Sequence, residues 1–328
     1  MDMVRWGVLS TANIGTEHVI PGMQKGKLCS VEAIASRSKE KAERVAAQLD
    51  IEKAYGSYEQ LLADANIDAI YIPLPNHMHV EWTIEALEAG KHVLCEKPIS
   101  MNREEAEKLA RSVEDFPDLK VMEAFMYRFH PQWDQVKQWL KEEKVGRITS
   151  IDSIFTYFNN NPDNIRNKAE IGGGGMLDIG CYCLSASRYI LHDEPVQVFA
   201  EMDFDPEFET DRLATGVLTF PGCSATFTCS TQSSPTQKLT ILGTEGIIEM
   251  DIPFNPLLAT TTVYLKKDGE IVEKKEFSAD HYTLQGDAFS KAILDDTEVP
   301  TPLEDALANM KVIDALFESA KRQAVIKL

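Results

Sequence analysis

Residues 4–23, VRWGVLSTANIGTEHVIPGM, place a short apolar run, a turn of small residues and a helical stretch in direct succession. An apolar run bounded by a turn is typical of a buried strand, and the stretch that ends at Met23 is predicted to be helical. This strand-then-helix order recurs over the first 125 residues. Such alternation predicts α/β architecture, a doubly wound parallel sheet with helices on both faces. The further predicted strands are 31–35, 69–72, 92–96 and 120–125.

The pattern changes after residue 125, where longer segments rich in β-branched and aromatic residues follow one another. Successive strands without intervening helices indicate an α+β second domain with a large, mostly antiparallel open sheet. A helix at Pro131–Lys144 precedes these strands, and helices at Tyr282–Leu294 and Leu303–Arg322 end the chain. The predicted strands are Ile148–Phe158, Gln197–Asp203, Arg212–Phe220, Ala225–Thr231, Lys238–Leu242, Gly246–Asp251 and Thr261–Lys267.

The chain is acidic: its 52 Asp and Glu residues against 33 Lys and Arg residues give a formal net charge of −19 over 328 residues. Such a surface repels phosphate backbones and anionic lipid headgroups, so nucleic-acid and membrane-surface partners are disfavoured. Any anionic ligand must then be held by local features, such as a helix N-terminus or a well-placed Arg. No stretch approaches the roughly 20 apolar residues that span a bilayer.

The N-terminus and the cysteines favour a cytoplasmic protein. The first residues lead directly into a strand and lack the apolar core of a signal peptide. The six cysteines lie in strand-like or core-like contexts and form no C-x-x-C pair, and Cys181-Tyr-Cys183 is too sparse for a structural zinc site. We interpret them as buried reduced thiols.

The first strand-to-helix turn matches a phosphate-binding loop imperfectly. Against the G-x-G-x-x-G fingerprint it has Ser10, Ala12 and Gly15 at the glycine positions. Small residues are needed because the backbone must approach a pyrophosphate held by helix N-terminal amides. Because Ser and Ala tolerate a positive φ poorly, we expect this loop to differ in detail from the glycine-rich fingerprint loop. The alternative is an ordinary tight turn between a strand and a helix. The predicted cofactor contacts in this turn are Ser10, Thr11, Ala12, Asn13 and Ile14.

The end of the second strand, Ser36-Arg37-Ser38, bears on the choice of cofactor. A site for NAD usually has Asp or Glu there to bond the ribose hydroxyls. A carboxylate would repel a 2′-phosphate, whereas Arg37 can stack on adenine and bond that phosphate, with Ser36, Ser38 and Lys41 assisting. We therefore predict NADP, with NAD less favoured; a surface Arg at a helix start is the alternative.

Three further stretches have the order and spacing of a known family. They are residues 73–79 (PLPNHMH), 96–98 (EKP) and 172–182 (GGGGMLDIGCY), supported by 123–131 (EAFMYRFHP) and 164–166 (NIR). Along nearly the whole chain they resemble the Gfo/Idh/MocA oxidoreductases. With Tyr182 where many relatives have His, D-I-G-C-Y resembles the branch of D-xylose dehydrogenase, dimeric dihydrodiol dehydrogenase and glucose–fructose oxidoreductase.

The resemblance implies an NADP-binding Rossmann domain over residues 1–125 and a substrate-binding domain over 126–302, with helix 303–322 packing back onto the first domain. It also implies a homodimer or homotetramer formed through the open sheet, and a Lys97–Pro98 bond that is cis. Cofactor contact is implied for Pro73, Leu74, Asn76, His79, Glu96 and Lys97.

Lys97, Asp178 and Tyr182 form the predicted catalytic group. Lys97 lies at the carboxyl end of a parallel strand, the edge where doubly wound sheets bind ligands. Asp178 and Tyr182 are four residues apart at a predicted helix start, so their side chains share a face. Oxidation of a carbinol needs a base, and a phenol of ordinary pKa about 10 can serve when a nearby ammonium favours its ionised form. We hypothesise that Tyr182 is the acid or base, that Lys97 assists it and bonds the reacting oxygen, and that Asp178 orients the substrate.

Other polar residues in these stretches are less specific. Arg166 either bonds a substrate hydroxyl, together with Lys97, Asp178 and Tyr182, or pairs with an acid. A metal site on His77 and His79 lacks a third ligand, so no metal is predicted. The glycines at 172–175 are expected to permit a backbone turn that brings Asp178 towards the cofactor, and a mobile loop is the alternative.

The predicted function is hydride transfer between nicotinamide and a sugar or polyol, as in an aldose 1-dehydrogenase acting on D-xylose. A trans-dihydrodiol dehydrogenase or a keto-sugar reductase is the alternative among enzymes. A non-catalytic NADP-binding regulator is the alternative of another class, and the presence of both Lys97 and Tyr182 argues against it.

Overall fold

The computed structural model describes residues 3–328, which form two compact units. The first contains the chain up to Phe129 together with Asp280–Leu307, and the second contains His130–Ala279 together with Ala308–Leu328. The helices are α1 (Ile20–Gln24), α2 (Lys39–Gln48), α3 (Tyr58–Leu62), α4 (His79–Glu88), α5 (Arg103–Val113), α6 (Pro131–Lys141), α7 (Cys181–Leu191), α8 (His281–Leu294) and α9 (Leu303–Arg322).

The first unit is built on a six-stranded sheet in which every neighbouring pair is parallel. Its spatial order is 3-2-1-4-5-6, so the direction of winding reverses between β1 and β4, the point at which doubly wound sheets bind ligands. The predicted doubly wound sheet is confirmed. The strands are β1 (Val4–Leu9), β2 (Cys29–Ala35), β3 (Lys53–Tyr55), β4 (Ala69–Ile72), β5 (His92–Cys95) and β6 (Val121–Glu123).

Helix α8 belongs to this unit although it lies far along the chain. The indole N–H of Trp6 in β1 donates to the Ser290 hydroxyl at 3.1 Å, and the Trp6 ring is 5.7 Å from that of Phe289. All three side chains are fully buried. The core next to β1 therefore includes side chains of α8, which lies 284 residues further along the chain.

The second unit is built on a nine-stranded sheet, in which β7 and β10 are parallel and the other neighbouring pairs are antiparallel. The predicted mostly antiparallel sheet is confirmed. Along β9, buried Ala214 and Leu218 alternate with the exposed Leu213 and Val217, so one face of the sheet is open to solvent. The strands are β7 (Ile148–Phe158), β8 (Gln197–Phe204), β9 (Asp211–Phe220), β10 (Cys223–Ser230), β11 (Gln232–Gly243), β12 (Ile247–Met250), β13 (Thr261–Lys267), β14 (Glu270–Phe277) and β15 (Ile326–Lys327).

Three strands have no counterpart in the sequence prediction. β3 and β15 have three and two residues, too few for a periodic pattern. β14 lies at the edge of its sheet and is exposed along most of its length, so it lacks the alternation of apolar and polar residues that identifies a half-buried strand. Its charged side chains suit an edge that must not pair with another chain.

Helix α9 passes from one unit to the other. In the first unit, its Asp305 pairs with Arg128 at 2.8 Å. In the second, the amide of Ala200 donates to the Ser319 hydroxyl at 3.1 Å. The expectation that this helix as a whole packs onto the first domain stays a prediction. No helix within residues 3–328 is both long and apolar enough to cross a bilayer.

Candidate functional site

The turn after β1 is held by Ser10. This residue has a φ of 123°, in the region that favours glycine, and its hydroxyl accepts the amide of Ala12 at 3.0 Å. Its own amide donates to the Ala35 carbonyl at 3.0 Å, next to the end of β2. The first fingerprint position therefore keeps a glycine-like backbone without a glycine, contrary to our expectation, because the hydroxyl bond supports the turn.

The helix that follows starts close to the end of β4. It begins as a π-helical turn over Gly15–Val19, and a Cβ added at Gly15 would lie 3.4 Å from the Pro73 ring. Thr11 is buried, whereas Asn13 is exposed and Ala12 and Ile14 are half-buried. The predicted loop is thus a compact turn at the carboxyl edge of the sheet, next to the ends of the neighbouring strands β1 and β4.

Ser36, Arg37, Ser38 and Lys41 follow β2 beside this turn. The Ser36 hydroxyl accepts the Ser38 amide at 3.3 Å, and the Ser38 hydroxyl accepts the Lys41 amide at 3.2 Å and so caps α2. Arg37 and Lys41 are exposed. Within residues 3–328 the Arg37 guanidinium forms no hydrogen bond or ion pair, so its donors are open to a ligand at the helix start.

His79 holds the turn after β4 against the turn after β5. Its Nδ1 lies 2.7 Å from the Pro98 carbonyl oxygen and its Nε2 lies 2.8 Å from that of Leu74. The ring is fully buried, and this burial lowers its pKa to about 4, so at neutral pH it carries one N–H and donates to one of the two oxygens. Because both nitrogens face backbone, His79 is placed to hold these turns rather than to present a donor to a cofactor. The Lys97–Pro98 bond in the second turn is cis, as expected.

Two carboxylates, Glu96 and Glu123, form hydrogen bonds at or next to the turn that carries the half-buried Lys97. Glu96 accepts the hydroxyl of the buried Tyr71 at 2.7 Å, and burial together with the Glu96 charge raises the pKa of that hydroxyl well above its ordinary value. Glu123, buried at the end of β6, accepts the amide of Ile99 at 2.7 Å. Neither Tyr71 nor Glu123 was predicted in these roles, because each resembles an ordinary residue at or near a strand end.

In the second unit, Asp178 lies in a short chain of polar contacts. Its Oδ2 accepts the Tyr157 hydroxyl at 2.6 Å and the Arg166 Nε–H at 2.8 Å. The Asp178 charge raises the pKa of Arg166 further, with Tyr157 and Tyr182 contributing. Burial and the same charge raise the pKa of Tyr157. Arg166 therefore pairs with an acid, while its terminal nitrogens form no bond within the described chain.

Tyr182 lies one turn after Asp178, in an aromatic pocket. Its ring is buried and packs edge-on against Phe155, with 5.6 Å between centroids, and at 5.8 Å from Phe254. Phe155 and Phe254 stack on each other at 5.3 Å. The packing fixes the ring, and Arg166 is near enough for its charge to interact with the phenol. Arg166, predicted from one motif, thus comes together with Asp178 and Tyr182, predicted from another.

The glycine run at 172–175 forms the turn that leads into the Asp178 helix. Gly172 and Gly174 have φ values of 85° and 114°, where other residues are strained. The amides of Gly173 and Gly174 donate to the carbonyls of Lys168 and Arg166, both at 2.9 Å. The run therefore joins the segment that carries Arg166 to the helix that carries Asp178 and Tyr182, a π-helical turn (Met176–Gly180) continuing as α7.

The predicted site residues thus form two groups. The first unit holds the turn residues 10–14 and 36–41 and those around residues 73–79 and 96–97 along one sheet edge. The second unit holds Tyr157, Arg166, Asp178 and Tyr182. Tyr157 was missed by the sequence analysis, since a Tyr near the end of a strand gives no signal until its hydroxyl partner is known. No three His, Cys, Asp or Glu side chains within residues 3–328 are grouped as a metal site requires.

Comparison with family models covers most of both units. The model described as "Oxidoreductase family, NAD-binding Rossmann fold" matches residues 4–122. The model described as "GFO/IDH/MocA C-terminal domain" matches residues 133–249.

Individual relatives match along almost the whole chain. The chain is 41% identical to the uncharacterized oxidoreductase ORF334 of Rhizobium meliloti, covering 98% of each, and 36% identical to D-xylose 1-dehydrogenase (NADP(+)) 2 of Haloferax volcanii, covering 98% of this chain and 99% of the other. Among solved structures, the 3-ketoreductase KijD10 of Actinomadura kijaniata, in complex with NADP and TDP-benzene, has a TM-score of 0.90 and 31% identity over 97% of this chain and 98% of that one. The chain therefore belongs to the Gfo/Idh/MocA family of oxidoreductases.

Proposed function

We propose that this protein is an NADP-dependent dehydrogenase that acts on a sugar or polyol, with D-xylose or a similar aldose as the substrate class. One observation carries the proposal: Asp178, Arg166 and Tyr182 converge at a single helix start in the unit that follows the Rossmann unit. A phenol, a carboxylate and a guanidinium side by side can exchange a proton with a hydroxyl and bond its neighbours. The NADP-dependent xylose dehydrogenase of Haloferax volcanii supports the substrate class.

The residues present fit an NADP cofactor. The glycine-like turn at Ser10 and the helix that follows offer backbone to a pyrophosphate. Beside them, Arg37 has unused donors and Ser36, Ser38 and Lys41 surround the start of α2, where a 2′-phosphate would need bonding partners. Thr11, Ala12, Asn13, Ile14, Pro73, Leu74, Asn76 and Glu96 complete the proposed contacts, and His79 supports two of the turns.

When bound, the nicotinamide supplies or accepts the hydride. In our proposal the Tyr182 hydroxyl exchanges the proton of the substrate carbinol, and the Lys97 ammonium bonds the reacting oxygen and favours the ionised phenol. Asp178 is held by Tyr157 and Arg166, so it accepts a substrate hydroxyl in a fixed orientation. Arg166 offers its terminal N–H groups to a further hydroxyl.

A panel of substrates tests the proposal. We expect NADPH to form with D-xylose and related aldoses, and more slowly or not at all with NAD as cofactor. Faster turnover of a keto-sugar with NADPH, which the structural similarity to a 3-ketoreductase favours, would make the protein a reductase. Oxidation of a trans-dihydrodiol alone would assign the other enzyme class. Tight NADP binding without turnover of any of these would favour a regulator.

The cofactor preference is expected to depend on Arg37. Replacing Arg37 by Asp removes a donor to the 2′-phosphate and adds a repelling charge, so the preference for NADP over NAD should fall roughly 10–100-fold or reverse. The measurement is kcat/KM for both cofactors. Arg44→Asp is the matched control: it makes the same change at an exposed position further along α2 and should leave the cofactor preference as it is. A mutant that prefers NADP as strongly as the parent would contradict the assignment.

We also propose that the protein is a homodimer or homotetramer formed through the open face of the second sheet. Large apolar side chains on this sheet are exposed on several strands, which a soluble monomer rarely tolerates over a wide area. They are Phe158, Phe204, Leu213, Val217, Leu242, Ile271 and Val272. Light scattering of the protein and of Val217→Lys tests this: the substitution should shift the mass towards that of one chain.

A further inference from the structure

Asp211, the first residue of β9, is a buried acid that the proposed chemistry does not use. Its side chain is 2% exposed, and its Oδ2 accepts the amide of Met176 at 2.6 Å. The backbone amide of Gly175 also lies near this carboxyl and lowers its pKa. A Cβ added at Gly174 would collide with Oδ1. The carboxylate therefore lies in a cradle formed by the backbone of residues 174–176.

This cradle is the start of the helix that carries Asp178 and Tyr182. Gly175 occupies the cap position and has no side chain to accept the first amides of the helix. Any residue with a Cβ at position 174 would displace Asp211. The sequence thus has glycines at the place where helices usually have Ser, Thr, Asp or Asn, and the missing acceptor comes from a strand 35 residues further on.

We propose that Asp211 is a positioning residue for the catalytic helix, holding Asp178 and Tyr182 where the reaction requires them. The inference rests on the proposed function, because it assumes that these two side chains touch the substrate. Asp178 lies two residues after the bonded amide of Met176, and Tyr182 lies one turn further. Movement of the first turn therefore moves both groups, and a displacement of about 1 Å is enough to lower a rate on the order of a hundredfold.

The charges around Asp211 support this role. Within residues 3–328, the titratable groups that interact with it include Asp178 from the helix, Tyr157 from β7 and Cys229 from β10. Burial raises the pKa of the Asp211 carboxyl to about 7, and the Asp178 charge adds to the effect, while the backbone amides oppose it. Because burial of an acid costs free energy of desolvation, the hydrogen bonds that Asp211 accepts must offset that cost.

Asp211→Asn tests the proposal. The amide side chain keeps the volume and one acceptor, but it removes the charge and replaces the second carboxylate oxygen, which lies against Gly174, with an N–H donor. We expect kcat to fall about 10–100-fold with the KM for NADP unchanged, because the cofactor residues lie in the other unit. Asp152→Asn, the same substitution at an exposed acid of the same sheet that accepts the Thr226 hydroxyl at 2.7 Å, is the matched control and should retain parental kcat.

Amide hydrogen exchange gives a readout that needs no substrate. In the Asp211→Asn protein, the amides of residues 174–181 should exchange faster than in the parent, while those of β13 should not change. Equal exchange in both proteins would overturn the positioning role. If Asp211→Asn does not yield folded protein, Asp211→Ser keeps one acceptor in a smaller volume and is judged by the same two criteria.

The outcomes separate this inference from the proposed function. If Tyr182→Phe is inactive and Asp211→Asn matches the parent in kcat and exchange, the positioning role is wrong and the proposed function stands. If Tyr182→Phe keeps parental turnover, the proposed function fails, whatever exchange shows for Asp211.

The pH dependence of stability is a further prediction for the same residue. Because the Asp211 pKa is raised in the folded protein, the stabilisation by its protonated form is complete below about pH 4 and is lost as the pH rises through about 7. Asn at this position does not titrate. The Tm of the parent relative to Asp211→Asn should therefore fall by several degrees between pH 5 and pH 8, as measured by thermal unfolding. A constant difference over this range would contradict the raised pKa.

Discussion

Replacing Tyr182 by Phe is expected to lower kcat about 10²–10⁴-fold, the contribution typical of a positioned acid or base. The substitution removes only the hydroxyl. The ring keeps its contacts with Phe155 and Phe254, so the aromatic pocket and the fold are expected to survive. Turnover is measured with the best substrate of the panel, and NADPH binding by fluorescence titration should be unchanged.

Two further variants sharpen this test. Tyr189→Phe makes the same change on the same helix, where the hydroxyl accepts the Lys137 ammonium at 2.9 Å, and it should retain parental kcat. Lys97→Met should be impaired to a similar degree as Tyr182→Phe. If the two residues act on one oxygen, the double variant should lose little more than either single one. Full turnover by Tyr182→Phe with intact cofactor binding would falsify the assignment of this tyrosine.

The double variant also distinguishes a single reacting atom from two separate ones. Lys97 belongs to the unit with the parallel sheet, and Tyr182 belongs to the unit with the antiparallel one. Additive losses would mean that the ammonium and the phenol act on separate steps or separate atoms. Non-additive losses would support a single reacting oxygen held by both.

The sequence predicts those parts of the molecule that depend on neighbours along the chain. The parallel sheet follows from the alternation of strands and helices, because a helix provides the crossover connection that two parallel strands need. The antiparallel sheet follows from strands in direct succession, because a short turn can join two antiparallel strands. Asp178 and Tyr182 were expected at the start of one helix, and the structure has Asp178 in its first, π-helical turn and Tyr182 at the beginning of α7. Motif spacing also identified Arg166, although pairing with an acid was only one of two alternatives and the acid, Asp178, was not identified.

Contacts between residues far apart in the chain were not predictable in this way. Tyr157 reaches Asp178 across 21 residues, and Asp211 reaches Met176 across 35, each from a strand whose sequence resembles any other. His79 is the opposite case. Its motif suggested a ligand contact, but both of its nitrogens face carbonyl oxygens that only the folded turns bring near. A side chain's partner is decided by the register of neighbouring strands, which the local pattern does not contain.

Replacing Gly173 by Ala is expected to reduce both stability and turnover. A Cβ at this position would lie 2.6 Å from the Arg166 carbonyl oxygen, and 2.7 and 2.8 Å from the carbonyl oxygen and the amide nitrogen of Lys168. All three are backbone atoms, so no side-chain rotation relieves the collision and the turn must open. We expect a loss of about 1–3 kcal/mol in the free energy of unfolding and a fall in kcat on the order of a hundredfold.

Gly222→Ala separates this collision from the general effect of losing a glycine. Gly222 has a φ of 81° in the hairpin between β9 and β10, and a Cβ there meets no atom within 4 Å. Its replacement strains the backbone by about 1–2 kcal/mol and should leave kcat unchanged. Opening the turn at Gly173 is expected to shift Arg166 and Asp178 together. A role of the glycine run in the reaction therefore requires that Gly173→Ala loses turnover and that Gly222→Ala does not. If both variants keep the parental kcat, the turn tolerates displacement and other contacts position the catalytic helix.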